Sequence, residues 1–337
     1  MDSRSGDFSD ASLPEPVRVI RVDYGGCTVA NADGPHFARA LEPVAVGDWV
    51  RLTDDNEPRV AEILERSSQL TRRDPVGMLQ VLAANVDLVL VTVPADRVSL
   101  NRAEREVTIA WDSGAVPLVL LTKADLDDGT QLDALRDRLI GVEVIGVSTL
   151  DDAGLDDTGL GALRERLRTG DSEGGRTAVL LGPSGAGKSS LVNALLGADA
   201  AAVKEVREDD HRGRHTTTTR ELHVIPTGGC LIDTPGLRSL SLAVGDDAIE
   251  AAFPDIYDLA HGCRFRDCTH AHEPDCAVTA AADSGALDPA RLGSYHRLMR
   301  DLDYQVRRDD PVAAQANKAL WRQRSMDIRR LQRERGH

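Results

Sequence analysis

Apolar residues change their spacing twice along this chain, and the changes divide it into three stretches. From Val17 to about Arg73 they come in short runs, VRVIRV, CTVAN, GDWVRL and RVAEIL, broken by Gly, Asp and Pro. Short strands with turn signals between them predict a small β-barrel. From Asn85 the runs become continuous, DLVLVTV, VPLVLL, VEVIGVS, TAVLLG and CLIDTPG, with amphipathic stretches such as LNRAEREVTIAW and QLDALRDRLI between them. Leu100, Ala103, Val107 and Trp111 share one helical face there, and Gly114 is a helix stop. Buried strands alternating with helices predict an α/β domain, its parallel sheet covered on both sides. Beyond about Gly245 the alternation ends in a Cys/His cluster and a helix over DPARLGSYHRLMRDLDYQ, capped by Asp288 with Pro289 at its first position. The expected division is a disordered tail over 1–16, a barrel over 17–75, an α/β domain over 76–245 and a mainly helical unit over 246–337.

Composition narrows the class. With 41% apolar and 28% charged residues in 337, the chain reads as a multidomain globular protein. No apolar run reaches the roughly 18 residues that cross a bilayer. The leading MDSRSGDFSDASLPEP has neither the basic start nor the apolar stretch of a secretory signal, so a cytoplasmic monomer without membrane contact is expected. A net charge of −15 excludes general nucleic-acid affinity, and an RNA partner would have to meet local basic patches. Only four lysines stand against thirty-six arginines, and two of the four, Lys123 and Lys188, fall in the motifs below. A compact ammonium is not replaceable by a planar guanidinium at such positions.

The strongest of these motifs is Gly182-Pro183-Ser184-Gly185-Ala186-Gly187-Lys188-Ser189, with Ser190 following, set between the strand TAVLL and a helical stretch. This is a complete P-loop in the context it requires: backbone N–H groups curl around phosphate, Lys188 reaches the terminal phosphates and Ser189 ligates Mg²⁺. At the end of CLID, Asp233 is placed to hold the Mg²⁺ shell, and the Gly236 N–H to meet a γ-phosphate. In the loop Thr122, Lys123, Ala124, Asp125, the carboxylate of Asp125 would accept both guanine ring N–H groups, a donor pair adenine lacks. Lys123 would lay its stem over the base, and Ser148 would complete the pocket.

The base-reading loop precedes the phosphate loop, the reverse of the ordinary order in GTPases, so the domain reads as a circularly permuted GTPase. Permutation is tolerable because the loops still gather at the carboxyl ends of the same parallel strands. Cys263-x4-Cys268-x-His270-x5-Cys276 offers three thiolates and an imidazole, a closed set for structural zinc, with His272 or His261 as alternatives to His270. One threonine among Thr216 to Thr219 is expected to ligate Mg²⁺ with GTP bound. Leu237 stands where many GTPases carry the glutamine that orients the attacking water, and His215 is the candidate substitute.

Together these residues resemble the small-ribosomal-subunit biogenesis GTPases, the RsgA family. The resemblance spans nearly the whole chain and rests on the permuted TKAD, GPSGAGKSS and DTPG, on GRHTTT, on the spaced Cys263, Cys268, His270 and Cys276, and on QVLAANVD before the first GTPase strand. It implies an N-terminal OB-fold that binds RNA, a permuted GTPase binding GTP and GDP with Mg²⁺, and a C-terminal domain with one structural zinc. It further implies slow hydrolysis stimulated by the ribosome late in small-subunit maturation, with His215 at the position proposed to help hydrolysis. Thr122 stands where that family usually carries Asn. Arg66, Arg72, Arg73 and the end WRQRSMDIRRLQRERGH are the basic segments suited to rRNA phosphates.

Overall fold

The computed structural model describes residues 15–23, 25–31, 34–73, 78–150, 159–169, 175–197, 220–233 and 245–309. The leading tail to residue 14, His215, Thr216 to Thr219, Gly236 and the arginine-rich end lie outside them.

Strands β1 (Val17–Asp23), β2 (Gly26–Asn31) and β3 (Gly34–Arg39) form an antiparallel meander, β4 (Trp49–Leu52) pairs with β1, and β5 (Val60–Ile63) with β4. A parallel bridge between Arg39 and Arg59 brings the end of β3 to the start of β5, closing the expected OB-type barrel. Val19, Cys27, Val29, Ala38, Val50 and Leu52 fill it. Strand β3 has no apolar run to announce it, because of its six residues only Ala38 is buried.

The barrel does not stand apart. A single sheet runs β10 (Glu143–Val147), β9 (Val116–Thr122), β8 (Leu88–Pro94), β11 (Thr177–Leu181), β13 (Cys230–Asp233), β12 (Glu221–Val224), and continues through Arg21 opposite Glu221 into β1. The first five of these are parallel. Alternation within their apolar runs sends side chains to opposite faces: Val89, Val91, Val119, Leu121 and Val179 to one core, Leu88, Leu90, Leu118, Leu120 and Ala178 to the other. Helices α1 (Leu100–Asp112) and α2 (Thr130–Arg138) cover the first face, α3 (Leu160–Arg168) and α4 (Lys188–Leu196) the second. Helix α1 buries Ala103 and Val107 as their spacing predicts, and Gly114 follows it at φ +83°.

A hairpin of β6 (Gln69–Arg73) and β7 (Leu79–Ala84) joins barrel to sheet, and Asn85 fastens the seam. The Asn85 side chain donates to the Gly47 carbonyl at 3.0 Å and accepts the Ser67 N–H at 3.0 Å. Arg66, expected to face rRNA phosphate, instead turns inward: its guanidinium forks onto Asp48 at 2.7 and 2.8 Å, and Asp48 is fully buried. A buried carboxylate demands a partner more strongly than solvent demands an arginine. Arg72 donates to Gln80 at 3.2 Å.

Helices α5 (Asp246–Ala252), α6 (Pro254–Ala260), α7 (Ala277–Ser284) and α8 (Pro289–Asp309) form the C-terminal unit around Phe253, Ile256, Val278, Leu292 and Leu298. The Asp288 cap is present, its carboxylate accepting the Ala290 N–H at 2.8 Å. This unit packs against α1 through Ile109 and Trp111, and Glu104 of that helix is buried between two guanidiniums, Arg138 at 2.7 Å and Arg291 at 2.8 Å. Burial opposes charge on Arg291, but its bonds to Asp255 and Glu104 outweigh that and hold its pKa above the ordinary value. Among the described residues no helix is long and apolar enough to cross a membrane.

Candidate functional site

Because β8, β9, β10, β11 and β13 all run in one direction, the loops that follow them open on one edge of the sheet, where ligands of open α/β sheets bind. The phosphate loop follows β11, the base-reading loop follows β9, Ser148 stands just past β10, and Asp233 ends β13. Inverted chain order therefore still yields one crevice.

Backbone demands account for the glycines at its floor. Gly182 has φ +147°, and a Cβ there would fall 2.1 Å from the Oγ1 of buried Thr92. Lys188 opens α4, and its ammonium donates to the Gly182 carbonyl at 2.8 Å and to that of Pro183, so it is already held inside the loop. Ser189 and Ser190 are exposed beside it at the helix start, and Ala186 is buried beneath.

Thr122 is engaged with the phosphate loop itself. Its hydroxyl, buried, donates to the Ala186 carbonyl at 2.7 Å and lies 3.4 Å from that of Val93. A side chain of the base-reading loop is thus tied to the backbone of the phosphate loop across 64 residues of chain. Lys123 takes a left-handed conformation, φ +56°, and its ammonium meets Asp96 at 2.7 Å. That hydrogen bond holds the Asp96 carboxyl below the usual carboxylate range. Ala124 and Asp125 open the next turn, and Asp125 Oδ1 accepts the Ser148 hydroxyl at 2.7 Å. The two residues read as the base pocket are therefore hydrogen-bonded to one another.

Sequence reasoning missed Arg97, which donates to the Ser184 carbonyl at 2.7 Å, and no motif marks it. It also missed Glu106, whose burial raises its carboxyl above the ordinary range against the bond from Arg102.

In the C-terminal unit Cys263, Cys268, His270 and Cys276 bring one ligand atom each to within 4.8 Å of one another. The Cys263 Sγ lies 3.8 Å from that of Cys276, and His270 Nδ1 lies 3.6 and 3.4 Å from the two. A tetrahedral ion with bonds of about 2.3 Å to sulfur and about 2.0 Å to nitrogen has edges of about 3.5–3.8 Å, the spacing at which Cys263, His270 and Cys276 stand, and Cys268 completes a set that could hold a metal ion. His272 is exposed, and His261 Nδ1 faces the Tyr257 carbonyl at 2.9 Å. The Cys276 sulfur also accepts the Thr279 N–H at 3.4 Å, capping α7.

Residues 63–243 match the family model described as RsgA GTPase. The chain is 43% identical over 341 residues to "Small ribosomal subunit biogenesis GTPase RsgA" of Streptomyces coelicolor, covering 95% of this chain and 90% of that one. It is 39% identical over 317 residues to the protein of the same name from Methanosarcina acetivorans, covering 92% and 83%. Two solved structures share the fold at 24% identity: YjeQ from Thermotoga maritima, TM-score 0.63 over 86% of this chain and 98% of that one, and YloQ, described as a circularly permuted GTPase, TM-score 0.61 over 88% and 98%.

Proposed function

This chain belongs to the RsgA GTPase family, and we propose that the crevice described above is where it binds GTP in the service of small-ribosomal-subunit maturation. It is a ribosome-biogenesis GTPase that hydrolyses GTP to GDP and phosphate. The observation carrying the site reading is the 2.7 Å bond from Thr122 to Ala186, which supports a single pocket spanning base and phosphate.

In this reading Asp125 accepts the two guanine N–H groups with Ser148 steadying it, and Lys123 covers the base with its stem. The backbone N–H groups from Gly182 to Ser190, Pro183 excepted, hold the phosphates. The Lys188 ammonium exchanges its two carbonyl partners for phosphate oxygens, meeting charge that grows as the bond to the leaving oxygen breaks. Ser189 and Asp233 would hold Mg²⁺, which neutralises the polyphosphate. His215 orients the attacking water, and Gly236 meets the γ-phosphate. Cys263, Cys268, His270 and Cys276 hold one structural zinc. The barrel over 17–75, the GTPase over 76–245 and the metal-bearing unit over 246–337 divide these tasks, in a cytoplasmic monomer docking on the small subunit and its rRNA.

GTP turnover by the full chain is expected to rise severalfold when purified small subunits are added. An unchanged rate contradicts the ribosomal part of the reading. Asp125→Asn places an amide donor against a guanine donor and is expected to weaken GTP binding about a hundredfold, narrowing the gap to ATP. A variant with the parent's GTP-over-ATP preference in competition binding contradicts the base-pocket assignment.

A further inference from the structure

Four of the five strand-end loops at the crevice carry motifs legible in the sequence; the fifth, after β8, carries none. It folds as one tight turn, Ala95–Arg97, and reaches both nucleotide loops. On one side Asp96 receives the Lys123 ammonium at 2.7 Å. On the other, Arg97 Nη2 donates to the Ser184 carbonyl at 2.7 Å.

That carbonyl and the Gly185 N–H belong to one peptide group. A cation donating to the oxygen draws electron density along the group and makes the N–H at its other end a stronger donor. In a P-loop such N–H groups are the ones that face phosphate. The P-loop pattern leaves position 185 open, and the glycine here takes φ +73°, a conformation glycine favours, with a Cβ position only 2.5 Å from Arg97 Nη2. The guanidinium thus lies against both residues of that peptide, Ser184 and Gly185.

We infer that Arg97 is a phosphate-positioning residue supplied by the loop after β8, raising nucleotide affinity in step with the number of phosphates. The inference rests on the GTPase reading above. The Arg97 side chain is 55% exposed and its Nε lies 3.9 Å from Asp96, so screening trims its direct Coulomb pull on phosphate. Polarisation of the peptide acts through a contact and is not screened in that way. An effect near tenfold on GTP follows, the scale of one charge-assisted hydrogen bond.

Binding of guanosine, GMP, GDP and GTP to the full chain with Mg²⁺ tests it, comparing the parent with Arg97→Ala and Arg97→Lys. Arg97→Ala is expected to weaken GTP about tenfold, GDP less and guanosine not at all. Arg97→Lys should recover part of the loss, since it restores charge but not the planar fork. Equal weakening of guanosine and GTP would reduce Arg97 to a shape-holding role and overturn the inference, as would an Arg97→Ala affinity for GTP within about twofold of the parent. A parent chain without preference for GTP over ATP would overturn the functional reading and this inference with it. A parent that prefers GTP beside an unaffected Arg97→Ala overturns the inference alone.

Discussion

Replacing Cys276 by alanine, or withdrawing the metal with a chelator, is expected to melt the C-terminal helical unit while the parallel sheet survives. The unit's core is small, Phe253 and Ile256 against Val278, Leu287, Leu292 and Leu298. The segment between α6 and α7 has no sheet to lean on and returns through Cys263, Cys268 and His270, with His270 and Asp275 both at positive φ. Such a loop holds its shape only if something draws its ends together. Structural zinc contributes about 10 kcal/mol or more in small domains of this kind. Cys276 has a second task as the cap of α7, whose loss alone costs about 1 kcal/mol. Hydrogen exchange over 254–284 should lose protection, metal content should fall together with it, and β8 to β11 should stay protected. Full protection in a metal-free Cys276→Ala chain would contradict the zinc assignment.

Glu104→Ala is expected to lower stability by about 3 kcal/mol, at the low end of the range for breaking a buried ion pair. Glu104 is 2% exposed, and its Oε1 takes both Arg138 and Arg291. Removing it leaves two buried guanidiniums facing each other. The loss stays at the low end because each keeps other partners: Asp288 and Ser294 for Arg138, Asp255 and the Ala252 carbonyl for Arg291. A melting temperature lower by roughly 6–12 °C is the readout. Glu104→Gln, which still offers an acceptor but no charge, should fall between the two. A Glu104→Ala chain that melts with the parent would mean that these helices do not depend on the ionic contact.

The two sites differ from this interface in how plainly they stand in the sequence. Phosphate binding needs glycine at set turns and a lysine at the helix start, and a closed zinc site needs thiolates and imidazole at short separations. Each demand is local, so residues 182–189 and 263–276 announce their chemistry. Glu104 and Glu106 announce the opposite of what they do. As carboxylates on an amphipathic helix both are expected in solvent, yet both are buried, Glu104 where Arg138 and Arg291 close on it from distant parts of the chain. Arg66 misleads in the same way, through a carboxylate eighteen residues earlier.

What the chain determines by itself is therefore the set of elements and the proposed chemistry they carry: runs buried on both faces, a P-loop pattern, a carboxylate read as the base ligand and four residues that could hold a metal ion. These follow from the period of the backbone and from the valence of the groups, which act over a few residues. Tertiary structure alone decides that β12 joins the barrel to the sheet, that the Thr122 hydroxyl meets the Ala186 carbonyl, and that Arg97 leans on Ser184. Each of these is a contact between residues far apart in the chain, and no local period or propensity encodes which distant partner a side chain will meet.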